Sequence, residues 1–417
     1  MSRRIFLRFV TASGLTNLAD GVATVAWAWL ASLLTRDPLL IAVVPVALRL
    51  PWFVCAIPAG IITDRVDRRV LILWMDLLRG IAFAGVALAL WWVTPLTAPP
   101  DTGVAEPFIY ALVLAAAATV GVAEVFRDNA AQTMLPAIVP HDALERANGR
   151  LWSVELVGNA LLGLAVGAFL IALAVPLPFA LNAVAYGLAV VLFLALSGPF
   201  KPPVAVQRNW RSELGAAVAF LRAKPLLMAL AWITGFWNLL FEMVMIALIL
   251  HVQENLSLGA QTYGLILAAG ALGGILGGWT GERVIMTLGP MRTAQWMLIL
   301  TAPAFVAIAL APGAVALAVV LAVFNYTGLV WNTVSVSYRQ RMIPDALLGR
   351  VNSLYRLMAW GMMPVGLLLS GVVVKLADGP LPRDLALMTP FAVATLGAAV
   401  LGLLGWRALG RWFPSQG

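Results

Sequence analysis

The chain has 417 residues, of which 62% are hydrophobic and 11% are charged, and its mean hydropathy is +0.94. A composition this apolar excludes an ordinary soluble domain and a disordered chain. The net charge of +8 does not by itself indicate nucleic acid as a partner, because charge in a membrane protein must first be assigned to a side of the bilayer.

Apolar segments recur along the whole chain, each long enough to cross a hydrocarbon core about 30 Å thick. The first one, over residues 9–34, is too long for the core of a signal peptide, so we expect it to be a retained helix. The sequence therefore predicts an all-α membrane protein. We predict twelve transmembrane helices, which begin near residues 9, 39, 70, 108, 148, 179, 226, 263, 293, 314, 353 and 385.

The distribution of basic residues predicts the orientation of these helices. Twelve crossings place both termini on one side of the membrane. If that side is the cytoplasm, 21 of the 27 Lys and Arg residues fall in cytoplasmic segments. Because cationic loops resist translocation, we predict a multi-pass protein of the cytoplasmic (inner) membrane with both termini in the cytoplasm.

Two segments of the first half recur in the same order in the second half. GIITDRV at 60–66 matches GWTGERV at 278–284, and each follows the second predicted helix of its half. The segment 143–148 matches 346–352 after the fourth helix of each half. These matches indicate that the second half is a duplicate of the first. We predict an N-terminal six-helix bundle at 1–197, a cytoplasmic linker at 198–225 and a C-terminal six-helix bundle at 226–417.

Paired bundles of six helices are typical of secondary transporters, whose substrate site lies near the bilayer midplane. A Gly-x4-Gly-Lys-Ser/Thr loop for nucleotide binding does not occur in the sequence. We therefore expect the energy for transport to come from an ion gradient, in particular a proton gradient, or from the substrate gradient. We expect no cofactor.

The loop after the second predicted helix carries glycine, aspartate and arginine in the pattern Gly-x3-Asp-Arg-x2-Arg-Arg, which begins at residue 60. The pattern resembles the motif between the second and third helices of the major facilitator superfamily. Asp67 stands where a glycine is common, which is similar to the subgroup of macrolide, tetracycline-type drug and siderophore exporters. The resemblance implies that the motif braces the two halves in the outward-facing state, with those roles at Gly60, Asp64, Arg65, Arg68 and Arg69.

The resemblance extends over almost the whole chain and implies a major facilitator fold, a drug-efflux antiporter and a monomer. Glu282 and Arg283 occupy the equivalent loop of the second half. A simpler interpretation of the basic loop is an orientation signal. In the fifth predicted helix, Gly163 and Gly167 belong to a glycine pattern that resembles the antiporter motif of drug exporters but lacks its proline. Close helix packing explains that pattern equally well.

Ionisable residues inside the predicted helices are the candidate functional residues, because a charge near the bilayer centre costs at least a few kcal/mol. Asp20 is the leading candidate for a proton site, and a structural pair with Arg49 is its alternative. Glu242 is the acid within a predicted helix of the second half, and it could bind a proton or a cation.

A second group of charges lies toward the cytoplasmic side of the first half. Glu124, Arg127 and Asp128 fall within little more than one helical turn. They could form a proton relay, or a fixed charge network with Asp76 and Arg79 near the inner gate, which Glu155 could join. His251, at an outer helix end, is expected on the wetted surface.

Aromatic and amide side chains collect in helices expected to face a cavity, where they suit bulky amphipathic or cationic ligands. The sequence has 16 Trp residues, and part of them is expected to form an interfacial belt instead. The candidates for substrate contact are Trp27, Trp237, Asn238, Asn325, Tyr326 and Asn332.

The function that fits best is proton-coupled efflux of drug-like, amphipathic or siderophore-like small molecules by alternating access. The expected partners are a small-molecule substrate, protons and membrane lipid, with no nucleic acid and no metal. A facilitator-type uniporter or importer is one alternative. Another is a membrane-embedded transferase acting on a lipid-linked substrate through Asp64 and Asp67, although neighbouring arginines make metal binding there unfavourable.

Overall fold

The computed structural model describes residues 3–63, 65–139, 144–196, 198, 200 and 210–413. Within these ranges the chain is helical and forms no β-strand. It divides into two compact units, which are residues 1–206 with 259–268 and residues 207–258 with 269–417.

Helices of the first unit include two that are interrupted. A break at Cys55 follows Pro51, whose ring fixes the backbone and removes an N–H donor, and it separates α2 from α3. The π-helical segment Leu156–Gly163 joins α6 to α7. The bounds are α1 (Arg3–Leu34), α2 (Pro38–Val54), α3 (Ala56–Thr63), α4 (Arg68–Val93), α5 (Pro107–Ile138), α6 (Leu144–Glu155), α7 (Leu164–Leu173) and α8 (Leu177–Leu194).

Later helices follow the same pattern of long apolar segments, with the π-helical segment His251–Asn255 after α10. The bounds are α9 (Trp210–Arg222), α10 (Pro225–Leu250), α11 (Ala260–Leu288), α12 (Pro290–Ile299), α13 (Thr301–Ala309), α14 (Ala314–Met342), α15 (Asp345–Trp360), α16 (Met363–Ala377), α17 (Arg383–Ala386) and α18 (Thr389–Trp412).

Eleven helical segments in the described ranges are long and apolar enough to cross a membrane, and the shorter apolar helix α2 adds to them. The predicted all-α membrane fold is confirmed, and most predicted starts lie within a few residues of the observed ones. Proline at the first positions of α2, α5, α10 and α12 favours these starts, because a helix leaves its first N–H groups unbonded in any case.

Helix α1 packs closely on the fifth span, which consists of the π-helical segment Leu156–Gly163 and α7, through glycines on both sides. A Cβ added to Gly21 on α1 would lie 2.3 Å from Asn159 O, and one added to Gly163 would lie 2.5 Å from Gly21 Cα. A Cβ on Gly167 would lie 2.6 Å from Val22 O. The glycine pattern of the fifth span therefore has a packing role in this structure.

The predicted linker contains helix α9, which the hydropathy of the sequence does not predict. Helix α9 buries Ala217 and Leu221 in an apolar cluster with Leu227, Ile343 and Val351. The two buried positions are four residues apart and share one face of the helix. Because α9 has 13 residues and a polar opposite face, it was not recognised among the long apolar segments.

Candidate functional site

An acid, an arginine and a tyrosine from three helices meet in the first unit. Arg79 Nη2 on α4 donates a hydrogen bond to Asp20 Oδ1 on α1, and the Tyr186 hydroxyl on α8 donates to the same oxygen at 2.5 Å. The Arg79 guanidinium also lies over the Tyr186 ring, 4.3 Å from its centroid. Asp20 Oδ1 is therefore the acceptor of two side-chain hydrogen bonds, one of them from a cation.

Arg127 on α5 is the centre of a second polar group. Its Nη2 donates to Thr16 Oγ1 at 2.8 Å, and its Nη1 lies 3.5 Å from Asp128 Oδ1. Its Nε lies 3.4 Å from Asp76 Oδ1. Arg127 is 5% exposed, and Asp76 has no exposed surface. This part of the predicted charge network is therefore present, although its role in gating or proton transfer stays a prediction.

The amphipathic pattern of α4 explains how charges come to lie inside the bundle. The buried face of the helix repeats at intervals of three or four residues and includes Ile72, Asp76, Arg79 and Phe83. Phe83 stacks on the Tyr186 ring with centroids 5.6 Å apart. The two charged residues thus occupy core positions, where ionic groups require partners.

The structure corrects the expected partner of Asp20. Arg49 is exposed, whereas Asp20 binds Arg79 and Tyr186. The rotation of α4 about its axis, which hydropathy does not determine, places Arg79 rather than Arg49 against α1. Glu124 is half-buried on α5, and Glu155 is exposed at the end of α6.

Arginines of the loop motif bind backbone carbonyls within the first unit. Arg69 donates through Nε to Phe193 O at 2.9 Å and through Nη2 to Leu194 O at 2.6 Å. Arg68 Nη1 donates to Thr133 O at 2.9 Å. These carbonyls belong to the last turns of α8 and α5, where helix dipoles favour cations.

Other positions of the motif have weaker structural roles. Asp64 lies outside the described residues, Arg65 is exposed, and a Cβ added to Gly60 would meet nothing within 4 Å. Glu282 and Arg283, at the equivalent position of the second half, are also exposed. The brace between the halves that the resemblance implies stays a prediction.

In the second unit, an aromatic stack lies next to the candidate acid. Trp237 stacks on Phe241 and Phe324, with ring centroids 5.3 and 5.6 Å apart, and its Nε1 donates to Thr301 Oγ1 at 3.1 Å. Glu242 follows Phe241 on α10 and is half-buried. Trp237 and Phe241 are half-buried, whereas Phe324 is buried beneath them.

Amide and tyrosine candidates of the second unit differ in exposure. Asn238 is 7% exposed and donates to Ala359 O at 3.0 Å, so it joins α10 to α15. Asn325 and Tyr326 are half-buried on α14, and the Tyr326 hydroxyl accepts from Thr280 at 2.9 Å. Asn332 is exposed. Of these, Asn325, Tyr326 and Asn332 are the more accessible.

Trp27 and His251 lie in the core. Trp27 is 2% exposed and packs against Phe83 and Phe179, so it belongs to the interior of the first unit rather than to an open cavity surface. His251 is 3% exposed and lies against Phe391, which contradicts the expected wetted surface position. Phe391 belongs to α18, and His251 begins the π-helical segment after α10.

Two tyrosines with polar contacts, one in each unit, could not be identified from the sequence. Tyr186 completes the Asp20 site, and Tyr355 forms hydrogen bonds with Thr234 at 2.8 Å, Ser335 at 2.9 Å and Leu230 O at 3.0 Å. Each tyrosine stands in an apolar helix, where its ring resembles a packing residue. Within the described residues, no group of three or more His, Cys, Asp or Glu side chains could hold a metal ion.

Comparison with known proteins matches this architecture to transporters. A family model described as a transmembrane secretion effector matches residues 1–402. The enterobactin exporter EntS of Escherichia coli O1:K1 / APEC is 29% identical over 312 residues, which is 73% of this chain and 69% of the exporter. The EntS protein of Citrobacter koseri is 26% identical over 370 residues, which is 86% of this chain and 80% of the exporter.

Solved structures share the fold at low sequence identity. A bacterial homologue of the iron transporter ferroportin has a TM-score of 0.72 at 16% identity, with 99% of each chain covered. A bacterial homolog of the human lysosomal transporter Spinster has a TM-score of 0.73 at 14% identity, with 100% of each chain covered. At these identities the likeness shows the fold alone.

Proposed function

The chain belongs to the transmembrane secretion effector family of the major facilitator superfamily, and from this premise we propose that it exports a siderophore-like or other amphipathic small molecule in exchange for protons. It is a multi-pass membrane transporter and not an enzyme, since its family and relatives are transporters. The relatives are enterobactin exporters, which favours a siderophore-like substrate for this chain.

The cluster around Asp20 and Arg79 is the observation that carries the proposal of proton coupling. These two groups lie inside membrane-spanning helices, where ionic groups are costly and tend to mark ion pathways. A carboxylate that gains or loses a proton changes its attraction to the arginine. Such a change can bias a helix bundle between two arrangements, which is the requirement for alternating access.

The aromatic stack of the second unit is the proposed substrate surface. The half-buried Trp237 and Phe241 stack on each other and on the buried Phe324, and Asn325 and Tyr326 follow Phe324 on α14. Flat aromatic or cationic ligands bind such surfaces through stacking and cation–π contacts. We place the carrier in the inner membrane with cytoplasmic termini, as the distribution of Lys and Arg favours.

Transport into proteoliposomes tests the proposal. Vesicles with the cytoplasmic face outward and an acidic lumen are expected to accumulate enterobactin, or a fluorescent cationic amphipath, faster than vesicles without the gradient. Asp20→Asn is expected to abolish the acceleration, and Glu242→Gln tests a route through the second unit. Asp101→Asn, at an exposed loop position, is the matched control.

Wild-type flux that is saturable but independent of the pH gradient would reject proton coupling and support a uniporter. Acceleration that survives in both Asp20→Asn and Glu242→Gln would reject these acids as coupling residues. Accumulation driven only by an alkaline lumen would reverse the assigned direction.

A further inference from the structure

We propose that Asp76 on α4 is the residue that binds the coupling proton, and that Asp20 positions Arg79. The inference rests on the proposed function, since it assigns the proton of that exchange to a particular carboxyl. It differs from the sequence-based expectation, which placed the proton on Asp20 or Glu242.

The surroundings of Asp76 distinguish it from an ordinary ion-pair partner. The residue has no exposed surface, and neither carboxyl oxygen has a hydrogen-bond partner among the described residues. Arg127 Nε lies 3.4 Å from Oδ1, which is an ion-pair distance, but the two atoms form no hydrogen bond. Burying an ionised carboxylate without hydrogen bonds is much more costly than burying a neutral carboxyl, so this environment favours the proton-bound form.

The hydrogen bonds that the two neighbouring arginines form go to acceptors other than Asp76, while Arg79 Nε and Nη1 and Arg127 Nε are buried without an acceptor. Arg79 gives its hydrogen bond to Asp20, which also receives the Tyr186 hydroxyl. Arg127 gives its shortest hydrogen bond to the Thr16 hydroxyl, at 2.8 Å. Asp20 is thus a satisfied carboxylate, whereas Asp76 is enclosed and unsatisfied. Of the two acids, Asp76 has more to gain from a proton.

The charge balance of the cluster requires protons. Its four carboxyls belong to Asp20, Asp76, Glu124 and Asp128, and its two guanidiniums belong to Arg79 and Arg127, so full ionisation would leave a net charge of −2. At the edge of the cluster, the charges of Arg49 and Glu155 offset each other. Asp76 is the fully buried acid among these four, so a proton there removes the most costly of the charges.

Helical spacing gives the proton a structural effect. Asp76 and Arg79 are one turn apart on α4, so they share a face. When a proton leaves an oxygen of Asp76, the new carboxylate competes with Asp20 for Arg79 and attracts Arg127 more strongly. The contact of α4 with α1 is therefore weakened in the deprotonated state and restored when one proton adds again to Asp76.

Infrared difference spectroscopy of the purified protein tests this assignment without any transport. The wild type at neutral pH is expected to show the carbonyl stretching band of a protonated acid, which disappears when the pH is raised. Asp76→Asn is expected to lose the band, Asp76→Glu to keep a shifted one, and Glu282→Gln to leave it unchanged. A band that persists unaltered in Asp76→Asn, or no band in the wild type, overturns the inference.

Stability and transport measurements provide independent tests of the same residue. Asparagine resembles the neutral acid, so Asp76→Asn is expected to keep the wild-type Tm while losing the acceleration of transport by a pH gradient. A lowered Tm would show that Asp76 is ionised and pairs with Arg127. Full gradient acceleration in Asp76→Asn would overturn the inference. A gradient-independent wild type that still shows the Asp76 band would reject the proposed function and leave the proton site intact.

Discussion

Gly163→Ala tests whether the glycines of the fifth span act by packing. The added methyl would lie 2.5 Å from Gly21 Cα and 2.7 Å from Gly158 O, against an ordinary carbon contact of about 3.5–4.0 Å. Because the obstructing atoms belong to the backbone, no side chain can rotate away, and α1 must move by about 1 Å. Overpacking of this kind costs about 1–3 kcal/mol.

A gain in helix propensity partly offsets that cost, because alanine is favoured over glycine by up to about 1 kcal/mol in a helix interior. We therefore expect Gly163→Ala to lower the free energy of unfolding by about 1–2 kcal/mol. Gly187→Ala on α8 is the matched control. A Cβ at Gly187 meets nothing within 4 Å, so that variant is expected to be as stable as the wild type or more stable.

Unfolding in mixed micelles, followed by circular dichroism, measures both variants under one set of conditions. If Gly163→Ala were as stable as Gly187→Ala, the close contact with Gly21 would not constrain α1, and the packing explanation would be wrong. A fully stable Gly163→Ala variant with altered proton coupling would instead support the antiporter interpretation of the motif.

Two further substitutions test the buried polar networks through thermal unfolding. Arg79→Met leaves Asp20 without its cation, so we expect the free energy of unfolding to fall by about 3–5 kcal/mol. Asp20→Asn should restore part of that stability in the double variant. Fully additive effects of the two substitutions would contradict a direct pair. Tyr355→Phe removes a hydroxyl that bonds Thr234, Ser335 and Leu230 O, so we expect a loss of about 1–3 kcal/mol, and a larger loss than in Tyr326→Phe.

Hydropathy predicted the membrane helices because lipid demands long apolar segments with internal backbone hydrogen bonds. It did not predict α9, whose burial depends on one narrow face, or the π-helical segment Leu156–Gly163, whose composition is that of any apolar helix. The start of α1 at Arg3 was also placed too late, because basic residues in its first turns resemble a polar tail.

The candidate site could be predicted in part, because the cost of burying charge singles out acids and arginines within spans. Which of them meet depends on the rotation of each helix about its axis. For that reason Arg49 was a reasonable partner for Asp20 in the sequence, and only the structure assigns Arg79. Tyr186 carried no signal, since a tyrosine in an apolar helix is typical of packing as well as of hydrogen bonding.

A comparison of the two units suggests where proton binding resides. Each unit holds an arginine over a tyrosine ring, Arg79 over Tyr186 at 4.3 Å and Arg339 over Tyr355 at 3.8 Å. In the first unit the tyrosine hydroxyl serves a carboxylate, whereas in the second it bonds the hydroxyls of Thr234 and Ser335. Hydroxyls do not titrate in the physiological range, but carboxyls can. The same aromatic support for a cation therefore adjoins a titratable group in the first unit and neutral groups in the second, which favours our proposal that the proton binds in the first unit.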